Sequence, residues 1–145
     1  MRSYTRAVIN AGKRIDHHDL CFGCGLGNRF GLQIELEPAG DGALGGRFFV
    51  KQDHQGPQGL VHGGVLAAAL DEAMSLAVHR QALAFTAKLE ADLRGTAPVG
   101  TYVHVSARVE RREGRKRWAV AELRDDQGAL VAEGRALFVE PAEED

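Results

Sequence analysis

GLVHGGVLAAALDEAM, Gly59 to Met74, is the stretch whose reading decides the fold. It reads as a helix of small and apolar residues, entered through the turn His62-Gly63-Gly64. The pattern predicts one long helix from Val61 to about His79. Leu66, Leu70, Ala73 and Ala77 recur at helical spacing and form an apolar stripe. Ala68, Asp71 and Ser75 share the face beside that stripe, with Gly64 one turn further back. Glu72, grouped with Ser75, Leu76 and His79, is expected to lean toward water. A helix with this much Ala and Gly on its contact side is suited to lying close against a sheet.

The flanking chain supplies the sheet. Leu32-Gln33-Ile34-Glu35-Leu36-Glu37 alternates apolar and polar residues, the signature of a half-buried strand. Pro38 to Gly42 is turn chemistry, and Ala43 to Val50 reads as the returning strand. His54 to Gly59 is a loop of helix breakers. After the helix, Phe85 to Leu93 reads as a strand. Val103, Val105, Ala107 and Val109 alternate with His104, Ser106, Arg108 and Glu110 in the next one. Trp118 to Leu123 and Ala129 to Val139 complete a hairpin through Asp125-Asp126-Gln127-Gly128. Two strands, one helix and four strands imply an α+β fold, with an antiparallel sheet wrapped around one long central helix. We expect a single domain over residues 1–145, with an N-terminal arm over about 1–20 and an acidic tail from Glu140 to Asp145 that frays.

Composition narrows the function classes. With 145 residues the chain is long enough to close a real core. A net charge of -2 gives no general attraction to nucleic acid or an anionic membrane. No run of apolar residues is long enough to span a bilayer, and the first residues have no apolar core of a secretory signal. The two cysteines are too few and too close for a disulfide framework. A cytoplasmic location is the expectation.

Asp71 is the residue that points to chemistry. A carboxylate at the margin of a buried helix is costly unless it is paired, hydrogen-bonded or used. Spacing alone leaves a structural and a catalytic role equally open. The entry turn favours the second. Gly63 and Gly64 let a ligand reach bare backbone, and free N–H groups at a helix N-terminus favour developing negative charge. A carbonyl oxygen held there, with a carboxylate two turns along, has the ingredients of acyl-transfer hydrolysis.

HQGPQGLVHGGVLAAALDEAM, with the earlier CFGCGLGNRFGLQIEL, resembles the hotdog-fold acyl-CoA thioesterases of the PaaI-like group. The resemblance runs from about Cys21 to Val139. It implies that the turn after the His donates a backbone N–H to the thioester carbonyl, at His62 and Gly63, with Gly64 close to substrate. The family's acid lies nine positions after that His, at Asp71, and acts as general base or nucleophile. A Ser or Thr assists, for which Thr86 and Ser75 are the matching positions. Where several members carry an Asn or Gln six positions before the His, this chain has Gly56, flanked by Gln55 and Gln58. A neighbouring amide such as Gln58 then takes that part, or the water is held differently. The resemblance also implies a homodimer or homotetramer with sites between protomers, acyl-CoA as substrate and no cofactor. Two other classes stay open: a non-catalytic acyl-CoA-binding hotdog protein, which could dispense with Asp71, and a hotdog hydratase or dehydratase, which HGG followed by LDEAM fits poorly.

Other candidates read more plainly. Cys21 and Cys24 with His17 and His18 offer four zinc ligands on paper, but a second well-spaced pair is missing. We read them as a structural turn, with no metal expected. The run Arg111 to Arg117 is a solvated hairpin tip, or, through Arg112 and Arg115, a cationic edge for the phosphates of coenzyme A. His79 and His104 read as surface residues.

Overall fold

β1 (Glu35–Gly40) and β2 (Ala43–Phe49) form a hairpin through the turn at Asp41 and Gly42. The pairing is the expected one, but β1 runs three residues later than Leu32–Glu37: Pro38 to Gly40, read as turn, belong to the strand, while Leu32, Ile34 and Leu36 are all buried. The computed structural model describes residues 14–142, so most of the expected arm and the last three residues of the tail lie outside the described residues. A short 3₁₀ turn (Gln52–His54) leads to helix α1 (Gly63–His79). Then follow β3 (Phe85–Leu93), β4 (Tyr102–Glu113), β5 (Lys116–Arg124) and β6 (Leu130–Val139). Among the described residues the strands form one antiparallel sheet in the order β1-β2-β4-β5-β6-β3.

The helix begins two residues later than its sequence pattern. Val61 and His62 stay extended: Val61 N–H donates to Ala97 O, and His62 N–H donates to His54 O. The stripe Leu66, Leu70, Ala73 and Ala77 is buried as expected, joined by Met74, Leu76 and Val78. It faces the buried row Ala107, Ala119, Ala121, Leu123, Ala136 and Phe138 of the sheet. Small residues on both surfaces let helix and sheet approach closely. Each fully buried Leu in this layer contributes roughly 1.5–3 kcal/mol.

β3 is the strand that bears on function. Among the described residues it pairs with β6 on one side and has no neighbour on the other. Every one of its residues is exposed, including the large apolar Phe85, Leu89 and Leu93. Its register with β6 shifts between Thr86 and Lys88, a β-bulge at Ala87. Beyond the bulge, Leu89, Ala91 and Leu93 stand opposite Ala136, Gly134 and Ala132 on the helix side; before it, Thr86 stands opposite the buried Phe138. The extra residue thus turns Thr86 toward α1.

The first and last described residues are tied to the fold. Ile15 N–H donates to Leu36 O, holding the described part of the arm on β1. At the other end Glu140 does not fray: its carboxylate meets the buried Arg117 guanidinium at 2.5 Å. No helix among the described residues is long and apolar enough to cross a membrane.

Candidate active site

The N-terminus of α1 is built around His62. This residue is the N-cap, with extended φ −68° and ψ 136°, and its Nδ1 accepts a hydrogen bond from Gly64 N–H at 2.8 Å. Its carbonyl accepts from the Val65 and Leu66 N–H groups. Gly64 N–H is therefore occupied by the His62 ring. Among the described residues no acceptor is bonded to Gly63 N–H. Of the two glycines read from the sequence, Gly63 is the open donor, and His62 is the side chain that holds the turn.

The preceding loop is drawn tightly against that turn. Gly56 N–H donates to Leu60 O, and Gly59 N–H donates to Gln55 Oε1. The Gln55 amide donates to Gln52 O, so it braces its own loop, whereas Gln58 is exposed with its side chain unengaged among the described residues. A Cβ at Gly56 would lie 2.9 Å from His62 Cα. The amide side chain that the resemblance leads one to look for at this position has no room unless His62 shifts.

Asp71 sits one face further round α1, part-buried, where Thr86 reaches it from β3. Thr86 Oγ1 donates to Asp71 Oδ1 at 2.7 Å. The pairing lies within one chain, because the β3 bulge turns Thr86 inward. Burial raises the Asp71 carboxyl above the usual carboxylate range; the Thr86 hydrogen bond partly opposes this and the neighbouring Glu72 adds to it. A carboxylate held by one hydroxyl, with raised affinity for a proton, is suited to taking a proton from water.

Ser75 and Glu72 depart from their sequence readings. Ser75 Oγ lies 3.1 Å from His17 Nε2, so it belongs to the N-terminal segment and not to Asp71. Glu72 does not lean toward water. It is 8% exposed, and its Oε2 lies 2.9 Å from His17 Nδ1. That hydrogen bond holds the His17 imidazole up at about 9, against the opposing pull of burial. The loop from Asp16 to Gln33, which has no periodicity to read, covers the helix face that the pattern left open.

The basic run is only partly a solvated tip. Arg117 is buried and donates to Gln81 and Glu140. Arg111 stacks on Trp118 at 3.7 Å. Arg115 donates through Nε and Nη2 to Glu140 O, and among the described residues Arg112 makes only a long bond to Gly114 O. The register row Arg112–Arg117–Phe138–Thr86 puts this hairpin at the Thr86 end of the sheet. His104 is buried on Asp126 at 2.8 Å and is not a surface residue, whereas His79 is exposed as expected. A concavity of about 470 Å³ lies on the sheet face away from α1, bordered by Glu90, Asp92, Arg108, Glu122, Glu133 and Arg135. It is separate from Asp71.

A six-stranded antiparallel sheet over a single helix defines the hotdog fold. The profile described as Thioesterase superfamily matches residues 58–132, the span from the helix entry to the start of β6, and the chain belongs to that family. Among curated relatives, acyl-coenzyme A thioesterase THEM4 of Xenopus laevis is 34% identical over 87 residues, covering 59% of this chain and 39% of that protein. This chain thus spans well under half the length of that relative. Among solved structures, a thioesterase superfamily protein superposes with a TM-score of 0.78 at 26% identity, covering 84% of this chain and 61% of that one. A phenylacetic acid degradation-related protein from Ralstonia eutropha JMP134 superposes at 0.69 and 28% identity, covering 75% and 86%. The resemblance to the PaaI-like group read from the sequence is borne out.

Proposed function

We propose that the chain hydrolyses an acyl-CoA thioester to a carboxylate and free coenzyme A. Gly63 N–H polarises the thioester carbonyl, and Asp71, held by Thr86, acts as general base on water or as nucleophile. The observation that carries this reading is the Asp71–Thr86 hydrogen bond, on the same helix whose first N–H is open. The relatives named as acyl-CoA thioesterases supply the substrate class. The test is hydrolysis across a panel of acyl-CoA thioesters (aromatic, short and medium chain), read as free thiol released. Absence of turnover on the whole panel would leave the fold with a binding role.

One helix cannot bring both groups to one carbonyl. Gly63 and Asp71 are eight positions apart, about 12 Å along the axis, whereas both must come within roughly 3–3.5 Å of the reacting group. A second chain resolves this, and the unpaired β3 edge is where it fits. Gly63 lies against Leu93, whose Cδ1 would be 3.0 Å from a Cβ there. Thr86 lies against Asp71. Two β3 strands paired antiparallel about Glu90, with the bulge at Ala87 taking up one residue, put Thr86 opposite the partner's Leu93, so that Asp71 of one chain faces Gly63 of the other. The same pairing covers Phe85, Leu89 and Leu93, an apolar edge that would otherwise invite aggregation. The expected assembly is a homodimer or a dimer of dimers, checked by solution mass. A strictly monomeric chain that turns over thioester contradicts it.

Thr86 also sets a pH dependence. The base form of Asp71 is the active one, so kcat/KM falls as pH drops through its raised pKa. Because the Thr86 bond lowers that pKa, Thr86→Val moves the acid limb to higher pH. A limb that stays in place would remove Thr86 from the site.

The hairpin gives a weaker effect. Arg112→Ala is expected to raise KM for coenzyme A thioesters with little change in kcat, the pattern of lost uniform binding. Arg115→Ala should do less, since its guanidinium is already held by Glu140. Unchanged kinetics for both at low salt, where surface charge acts most strongly, would make the run a solvated tip.

A further inference from the structure

The loop before β1 and the helix beside Asp71 converge on four donor atoms that the hydrolase reading does not use. They are His17 Nδ1, Cys21 Sγ, Cys24 Sγ and Glu72 Oε2, all within 4.8 Å of one another. Nδ1 is 3.7 Å from Cys21 Sγ and 3.5 Å from Cys24 Sγ, and Cys21 Sγ is 3.5 Å from Oε2. A tetrahedral Zn²⁺ with bonds of about 2.3 Å to sulfur and 2.0–2.1 Å to nitrogen and oxygen requires edges of about 3.4–3.8 Å. Three of the measured edges fall in that range. The fourth, Nδ1 to Oε2 at 2.9 Å, is the length of a hydrogen bond and would open by about half an ångström around an ion.

The surroundings fit the same purpose. Ser75 Oγ stands against His17 Nε2 at 3.1 Å, which fixes the ring with Nδ1 toward the cluster, as an outer partner does for a ligating His. His17 N–H donates to Cys24 Sγ at 3.2 Å, a bond that favours a thiolate. Gly23 lets the backbone press on the Glu72 side chain: a Cβ there would lie 2.3 Å from Glu72 Cδ. Both cysteines are free thiols, so no disulfide competes for the sulfurs.

We propose that His17, Cys21, Cys24 and Glu72 bind one Zn²⁺ in a closed tetrahedral site that fastens the N-terminal loop to α1. Two thiolates with one imidazole and one carboxylate match zinc in softness and geometry. Four protein ligands leave no open position, which makes the site structural, not catalytic. Binding replaces the protons of both thiols and the proton on His17 Nδ1 with the metal, and all three pass to solvent. The proposal is independent of the thioesterase reading, and its test does not use turnover.

Full-length protein purified under reducing conditions without chelator should contain about one zinc per chain by elemental analysis. Stripping the metal should lower the melting temperature by about 5 °C or more, and returning zinc should restore it. Co²⁺ added to the stripped chain should give the intense visible bands of a tetrahedral thiolate complex. Cys24→Ser should abolish those bands. If that variant does not fold, Cys21→Ser, at a half-exposed position, makes the same test. His18→Ala should keep them, because the His18 ring accepts from Leu20 N–H and lies outside the cluster. A folded wild-type chain that neither retains zinc nor gives the cobalt bands overturns the proposal, and so does metal binding that survives both cysteine substitutions.

Discussion

Asp71→Asn is expected to lower kcat at least about a hundredfold on the best thioester of the panel, within the range for loss of a general base. The amide keeps the size of the side chain and an oxygen to accept from Thr86, so what is removed is the proton acceptor or nucleophile alone. Stability should not fall. The raised pKa means that the folded chain binds the Asp71 proton more tightly than the unfolded chain does. The charged form therefore costs stability as pH rises through the folded value, and Asn removes that cost at neutral pH. An unchanged or slightly higher melting temperature, alongside the lost turnover, is the expected pair of results. A melting temperature that falls with activity would assign Asp71 a structural role. Glu72→Gln is not a neutral control for this experiment. Its carboxylate is buried against His17, and losing that partner should lower the melting temperature.

Gly63→Pro is expected to lower kcat by about 10²–10³-fold, the effect of removing one oxyanion donor. Proline is favoured at the first position of a helix, where it deletes an N–H that has no intrahelical partner. His62, at φ −68° and ψ 136°, already has the extended backbone that a following proline requires. A Cβ at this position would meet only the end of the Leu93 side chain, at 3.0 Å. The chain should fold while the carbonyl loses its partner; near-normal turnover would mean that another group polarises the thioester. Together the two variants also test the shared site. Co-expressed in equal amounts, Asp71→Asn and Gly63→Pro chains should regain about a quarter of wild-type activity, because half of the random dimers are mixed and each mixed dimer has one intact site. Activity no greater than the two residual rates would put both groups in one chain's site.

The helix and all six strands were legible from periodicity, since a buried stripe at i, i+4, i+7 and strict alternation each leave a direct mark on the residues. Gly63 and Asp71 were legible as a helix N-terminus and a carboxylate out of place. Long-range placement was not. The assignment of Ser75 to His17, the burial of Glu72 and the capture of His104 by Asp126 depend on where loops land. Loops such as Asp16 to Gln33 carry no period from which that could be read. The sequence also offered His17 and His18 with equal weight beside the cysteines. Only the fold turns one ring to Glu72 and leaves the other facing its own backbone.

The bulge at Ala87 acts as a phase shifter in the strand's two-residue rhythm. Even-numbered side chains face the helix before it and odd-numbered ones after it, so Thr86 shares a side with Leu89, Ala91 and Leu93 although parity forbids it. Deleting that one codon would force a choice between two losses. Either the hydroxyl swings away from Asp71, or the apolar row turns away from the edge it would seal. Position 87 can therefore exchange its side chain freely, but its backbone unit is indispensable.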